Sequence, residues 1–445
     1  MSTMIERIVT VFKERSFLSQ ALRYNPLYYR RVRNMLYEVD DLDREERREL
    51  SDRLTTRTLK HAARLPGNLR AGVPLHRCPI IEKQQVRDNP TRYQAPGMMR
   101  VPAATSGATG IPVQLKRSLR NIAVEQAFID HVMDPWEFNF KDSRRALMRA
   151  DAIKPQGDRE PPFGVYRANG TQLLLSANHV CADSVKWYYD ELRKFSPDFL
   201  FAHPSSCEAL ATVLQKRSLS LHIPVVLTSS EMLHPGGRKL LERAYNATVL
   251  DYYGMSERLV FASSIGADGY YFNPAYGRVE LLEVNGSEAP PGYRALEIIA
   301  TGYWNDAMPL VRYRSDDRVI VPDHYSAQDL EDVCLGLLPV QSIQGRDKEY
   351  IVSPDGQVIV GLNTVTHGIK GLLRMQVVQE VNGDSVVRVV IDPRIGRIDE
   401  ARLMHNIYQW APPTMRFTFQ VVDQIERLPS GKTPVVIRRS EQAGA

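Results

Sequence analysis

Between Pro197 and Tyr252 apolar runs alternate with stretches of helical spacing: Pro197 to Ala202 and a helix to Lys216, Ile223 to Leu227 and a helix to Tyr245, then Ala247 to Tyr252. Strand and helix alternating in this way predict a parallel, doubly wound sheet. Residues 1 to about 95 read differently, as polar and helical, with Glu, Arg and Leu recurring at helical spacing from Asp40 to Arg64. From Val279 the runs shorten. Val279 to Val284, Ala295 to Ala300, Val311 to Arg314 and Arg318 to Val321 predict antiparallel, partly solvated strands. Beyond Gly345-Arg346-Asp347-Lys348 the pattern changes again. Met375 to Glu380 and Ser385 to Ile391 flank Asn382-Gly383, a hairpin signal, and a helix from Asp399 to Trp410 with a strand from Arg416 to Val422 completes a small α+β unit. The expected fold class is α/β: a large N-terminal domain over 1–347 with doubly wound mixed or parallel sheets, then a small α+β domain over 348–445.

Composition narrows the function classes. The chain has 445 residues, 43% of them hydrophobic, as two or three soluble domains require. Its 57 basic against 52 acidic residues leave a net charge of +5 with no Lys/Arg block, which argues against a dedicated nucleic-acid binder. Cys78, Cys181, Cys207 and Cys334 have no paired spacing, so neither a disulfide framework nor a zinc knuckle is expected, and reduced thiols suit a cytoplasmic location. The N-terminal stretch is interrupted by Glu6, Arg7, Lys13, Glu14 and Arg15, and no apolar run is long enough for a membrane span, so no signal peptide and no membrane partner are expected.

Candidate chemistry lies in four places. Thr105-Ser106-Gly107-Ala108-Thr109-Gly110, followed by Ile111-Pro112, combines glycines that let the backbone approach an anion with hydroxyl donors, as a phosphate-wrapping loop needs; it also reads as a surface turn. Each strand of the alternating region ends in a polar cluster: His203-Pro204-Ser205-Ser206, Thr228-Ser229-Ser230-Glu231 and Tyr253-Gly254-Met255-Ser256-Glu257. Ligands of open α/β sheets sit beyond the carboxyl ends of strands, although Ser205 and Ser206 serve equally as helix caps. Arg312-Tyr313-Arg314-Ser315-Asp316-Asp317 places carboxylates among arginines, as either an ion network or a grip for vicinal hydroxyls. Finally, Leu428-Pro429-Ser430-Gly431-Lys432-Thr433 carries a lysine on a Gly-flanked run. It is not a P-loop, since Glu426 stands where that motif needs glycine. Nor is Gly254-Met255-Ser256 a nucleophile elbow, because Arg258 replaces its second glycine.

In this order and at these separations the motifs resemble the adenylate-forming superfamily of acyl-CoA synthetases, in its phenylacetate-CoA ligase-like branch. Pro79 to Lys83 and Asn305 with Met308 to Tyr313 agree with it, so the resemblance spans nearly the whole chain. It implies an AMP-forming ligase: a carboxylic acid, aromatic or aryl-alkyl, attacks the α-phosphate of ATP, pyrophosphate leaves, and the acyl group passes to CoA as a thioester. Amide formation or adenylyl transfer to another small molecule is the alternative, and an inactive binding relative the other. By this likeness Thr105 to Gly110 would hold the β- and γ-phosphates. Tyr253 would stack on adenine, with Tyr252, Gly254 and Met255 beside it. Ser229, Ser230 and Glu231 would line the base or the acyl pocket. Ser256 would sit near the α-phosphate, Glu257 would bind Mg²⁺, and Asp317, helped by Arg346, would hold the ribose. Lys432 would bridge carboxylate and α-phosphate, and Lys348 would be the hinge of a mobile C-terminal domain. Monomer or homodimer is expected.

Two positions depart from the family pattern: Ile111 stands where a lysine is frequent, and Asp316 replaces a glycine, leaving open which of Asp316 and Asp317 reaches ribose. Phe163 to Tyr166, where relatives shape the acyl pocket, gives no match. Keeping Glu257, Asp317, Arg346 and Lys432 together argues against the inactive relative, since charges in a cleft are costly without a task.

Overall fold

A computed structural model describes residues 16–65, 72–97, 100–104, 113–149, 153–155, 158–266, 268–283, 289–344, 350–354, 356, 358–359, 362, 365–366, 369–392, 395–426 and 434–439. They form two compact units, each discontinuous in sequence: one from within 1–105, 113–143 and 252–343, the other from within 106–112, 144–251 and 344–445.

The second unit contains the expected parallel sheet. Strand Arg145–Met148 lies between Gln172–Leu175 and Phe199–Ala202, both parallel to it, and Val225–Ser229 pairs parallel with Phe199–Ala202. Gly164–Arg167 adds an antiparallel edge strand. Every residue of Phe199–Ala202 and Val225–Ser229 is buried, which is why these strands read as unbroken apolar runs. The covering helices are Val185–Phe195, Pro204–Lys216 and Pro235–Tyr245. Proline begins the last two, where its fixed φ suits the helix start and its missing N–H is not needed. Ser196 and Asn246, both left-handed, end the first and third. Because the strands are parallel, Arg149, Ser176, His203 and Ser230 all follow strand ends on the same edge of the sheet.

Phe163 does not open a pocket: it stacks on His179 and Tyr188 inside this core. A Cβ on Gly164 would meet the Leu174 carbonyl at 2.9 Å, so the glycine is needed for close strand pairing.

The C-terminal part of this unit has its own core. Leu372–Gln379 and Ser385–Ile391 form the hairpin expected at Asn382-Gly383, with Gly383 at φ 88°. Phe417–Val421 and Val436–Arg438 extend it on either side by parallel pairing, and helix Glu400–Tyr408 supplies Leu403 and Ile407 to a core with Met375, Val377, Val387 and Val389.

In the first unit, helices Ser16–Arg23, Tyr29–Asp41 and Arg44–Ala62 fill the polar, helical N-terminal region; Asp43 and Glu46 form a reciprocal cap on the third. A four-stranded sheet follows in chain order, Gly277–Glu283, Tyr293–Gly302, Tyr313–Pro322 and Ser342–Gln344, with antiparallel pairing through its first three strands. One expectation is corrected here. Val311 to Arg314 and Arg318 to Val321 are not separate strands, because Tyr313–Pro322 is continuous and absorbs the polar Ser315-Asp316-Asp317 as a register shift opposite Ile298. Strands Arg100–Ala104 and Gln114–Ser118 pair antiparallel up to Ala104 and Gln114.

The last turn of helix Leu119–Val132 carries His131, whose ring nitrogens meet Asp134 at 2.8 Å and Asp40 at 3.1 Å. Burial opposes protonation, but the two carboxylates hold the imidazole up to about 9. Since this exceeds the ordinary 6.5, the imidazolium stabilises the fold fully below pH 6.5, and its contribution is lost as pH rises through 9. Discounted for the exposed Asp40, the loss is about 1–2 kcal/mol. Urea unfolding of wild type is expected to weaken by this amount between pH 6.5 and 9, whereas His131→Gln is expected to be flat there; equal pH slopes would contradict the assignment.

Candidate nucleotide site

Strand Thr248–Gly254 ends at a turn running through Met255, Ser256 and Glu257. The Arg258 amide closes it by donating to the Met255 carbonyl at 2.9 Å, and Arg258 sits at φ 56°. The Arg258 guanidinium donates to the Asn121 carbonyl and side chain at 3.1 and 3.2 Å and lies 3.7 Å from Glu125. Arg117 donates to the Ser256 carbonyl at 2.8 Å. Burial and the neighbouring Arg258 push Arg117 down to about 10, still cationic at neutral pH. The backbone of Ser256 is therefore fixed against a positive charge, which suits an anion beside it.

Glu257 is 7% exposed and accepts a hydrogen bond at Oε1 from the Tyr313 hydroxyl at 2.9 Å. Burial and the Glu257 charge hold the Tyr313 phenol well above its ordinary range, so it stays a donor. The Tyr253 hydroxyl donates to Asp317 Oδ2 at 2.6 Å, joining two motifs far apart in sequence. Asp317 is positioned by the irregularity in its strand: Ser315 Oγ donates to the Ile298 carbonyl at 2.9 Å and accepts from the Asp317 amide at 3.1 Å. Asp316 is exposed at φ 65°, a conformation glycine takes without strain. The left-handed backbone here is one that glycine meets most readily, and Asp317 is the member of the pair hydrogen-bonded to Tyr253.

The arginines of the same run are structural. Arg312 makes a two-nitrogen ion pair with Glu280 at 3.0 Å for each contact and donates to the Cys78 carbonyl at 2.7 Å. Arg314 pairs with Glu82 at 2.9 Å and with Glu297. Ile81 bridges to Tyr313 through the Arg312 carbonyl and the Arg314 amide, at 2.9 and 3.0 Å. Pro79 to Lys83 therefore braces the strand that carries Tyr313 and Asp317.

A second polar group lies in the other unit at the carboxyl ends of its strands. Glu231 Oε2 accepts from the Ser205 amide at 2.9 Å, and Oε1 is 3.6 Å from His203 Nδ1. Burial, then Arg149, lowers His203 to about 3, so its imidazole is neutral. Arg149 stands 4.4 Å over the Phe201 ring and donates to Ser230 Oγ at 3.3 Å; Ser229 Oγ is 3.4 Å from Ser230 Oγ. Ser205 and Ser206 are buried within the first turn of helix Pro204–Lys216, whose N-cap is His203, so neither is the cap itself.

Thr105 to Gly110, Ile111, Arg346, Lys348 and Lys432 lie outside the described residues. Among the expected residues, the structure joins Tyr253 with Asp317 in one unit and groups Ser229, Ser230 and Glu231 in the other. Sequence reading missed the roles of Arg117, Tyr313 and Arg149. Tyr313 was visible inside the charged run, whereas no local spacing marks Arg117 or Arg149. Among the described residues no group of three or more His, Cys, Asp or Glu could hold a metal, and no helix is long and apolar enough to cross a membrane.

Residues 351–439 match the CapK C-terminal domain family. Protein CapK of Staphylococcus aureus is 22% identical over 369 residues, covering 80% of this chain and 79% of that protein. The phenylacetate-coenzyme A ligase of Aromatoleum evansii is 24% identical over 423 residues, covering 84% and 87%. A solved structure of 2-hydroxyisobutyryl-CoA ligase with 2-HIB-AMP and CoA superposes with a TM-score of 0.52 at 17% identity, over 90% of this chain and 91% of that one. The fold is that of the adenylate-forming ligases, with a large sheet of mixed parallel and antiparallel strands, and the likeness to the phenylacetate-CoA ligase branch holds along most of the chain.

Proposed function

We propose that this chain, an adenylate-forming ligase by fold, activates a carboxylic acid with ATP, releasing pyrophosphate, and passes the acyl group to CoA. The hydrogen bond between Tyr253 and Asp317 carries this reading, because an aromatic face tied to a carboxylate is what a base and its ribose need from two neighbouring side chains. Tyr253 stacks on adenine and Asp317 accepts from the ribose hydroxyls, with Arg346 assisting. Thr105 to Gly110 supply donors to the β- and γ-phosphates. Arg117 holds Ser256 beside the α-phosphate. Lys432 neutralises charge developing between the carboxylate and the α-phosphate. In this reading the division falls at 347/348, and Lys348 is the hinge about which the smaller domain turns between the two half-reactions.

Glu257 suits Mg²⁺. Tyr313 occupies Oε1 and no hydrogen bond from a described residue engages Oε2, leaving one carboxylate oxygen for an ion otherwise held by phosphates and water. When bound, Mg²⁺ would neutralise phosphate charge as pyrophosphate leaves.

The test is ATP-dependent pyrophosphate release against aromatic, aryl-alkyl, aliphatic and amino acids, each with and without CoA. Acid-dependent release with thioester is the expected result, with aromatic or aryl-alkyl acids preferred; release in no case would overturn the reading. A second acceptor class, an amine or other small molecule, stays in the design, and release without thioester would favour it. Tyr253→Phe keeps the ring and removes the link to Asp317. It is expected to raise KM for ATP about tenfold with kcat largely kept, the scale of one hydrogen bond to a charged group. An unchanged KM would remove Asp317 from the ATP site.

A further inference from the structure

The C-terminal sheet ends in a cavity of about 440 Å³ that the proposed reaction does not use. Leu372–Gln379 and Val436–Arg438 run parallel and reach it with their carboxyl ends, while Ser385–Ile391 and Phe417–Val421 start from it. Val421 and Val436, which flank the segment containing Lys432, sit at the opposite ends of these strands. The cavity is thus removed from the point where that segment leaves and rejoins the sheet.

Its walls carry Arg416, Arg438 and Arg439 against Glu380 and Asp384. Arg439 is already neutralised, by Glu380 at 3.2 Å and Glu426 at 2.9 Å. Arg438 instead lies 4.7 Å over the Tyr350 ring, and neither it nor Arg416 has an ion pair with a described carboxylate. Asp384 accepts at Oδ2 from the Asn382 amide group at 2.8 Å. Gln379 uses its side-chain amide on both backbone groups of Val352, at 2.8 and 2.6 Å, and so shapes the wall. Next in sequence to Asp384, Ser385 is 1% exposed and its hydroxyl has no partner among the described residues, an unusual state for a buried donor.

We infer that this cavity binds a phosphate monoester with a polar body. Two guanidiniums line it with no ion pair to a described carboxylate, Arg438 at the end of one edge strand and Arg416 at the start of the other, and a guanidinium suits the oxygens of a phosphate dianion. The carboxylates of Glu380 and Asp384 disfavour a bare anion and accept hydrogen bonds from hydroxyl or amine groups on its body. A volume of this size belongs to small-molecule sites. The site is independent of the ligase reading.

The experiment is calorimetric titration of the full chain with ribose 5-phosphate and, separately, inorganic phosphate. Ribose 5-phosphate is expected to bind one site more tightly than inorganic phosphate, and to bind about tenfold or more weakly in Arg416→Ala and in Arg438→Ala, the effect of losing one charge-assisted hydrogen bond. Asp317→Asn, which perturbs only the proposed ATP site, is expected to leave this binding unchanged. Because Arg416 is exposed, its variant also guards against a folding artefact. Absence of binding heat, affinity that survives both arginine variants, equal affinity for the two probes, or loss of binding in Asp317→Asn would each overturn the inference.

Discussion

Lys432→Ala is expected to slow pyrophosphate release by about 10²-fold or more, the scale seen when one preorganised charge-stabilising donor is removed from a transition state. The carboxylate and the α-phosphate are both anions, and bond formation brings their oxygens together. A compact ammonium between them favours the transition state more than either separated reactant, so the loss should fall on kcat more than on KM for ATP. Lys432 stands in the polar run Pro429-Ser430-Gly431-Lys432-Thr433, which offers no apolar side chain beyond proline to a core. The melting temperature of the variant is therefore expected to match wild type. Single-turnover measurement of adenylate formation is the deciding readout, and a wild-type rate in the alanine variant would sink the role given to this lysine.

Glu257→Gln should reduce pyrophosphate release by about 10²-fold or more, because the change removes the single negative charge offered to a phosphate-bound cation. Shape and hydrogen bonding are nearly kept: the amide oxygen can still accept from the Tyr313 hydroxyl, now 2.9 Å from Glu257 Oε1. A buried carboxylate is costly to hold, so neutralising it while its donor remains satisfied should change stability by no more than about 1 kcal/mol in either direction. Two measurements separate the roles. Urea unfolding is expected to match wild type, while the Mg²⁺ concentration needed for half-maximal activity rises. A variant that unfolds early but retains its Mg²⁺ dependence would make Glu257 a packing residue anchored by Tyr313.

Much of the fold was legible along the chain. The apolar runs ending near Ala202, Leu227 and Tyr252 correspond to Phe199–Ala202, Val225–Ser229 and Thr248–Gly254, because strands covered on both faces must be apolar throughout. The Asn382-Gly383 turn was equally plain, since few other pairs accept its geometry. The misreading of Tyr313–Pro322 as two strands has a clear cause. A bulge places polar residues mid-strand, where a periodicity of two reports a break.

By itself the sequence determined the order of strands and helices, the hairpin of the C-terminal sheet and the motifs on which the adenylate-forming resemblance rests, since all of these depend on neighbours along the chain. Only the tertiary structure shows Asp317 hydrogen-bonded to Tyr253 and Asp316 in a left-handed backbone at φ 65°. It also turned Arg312 and Arg314 into braces, through Glu280, Glu82 and Glu297, and brought Arg117 to Ser256. Such pairings join residues remote in sequence, and an ion pair or hydrogen bond forms only between groups the fold has brought within about 3 Å.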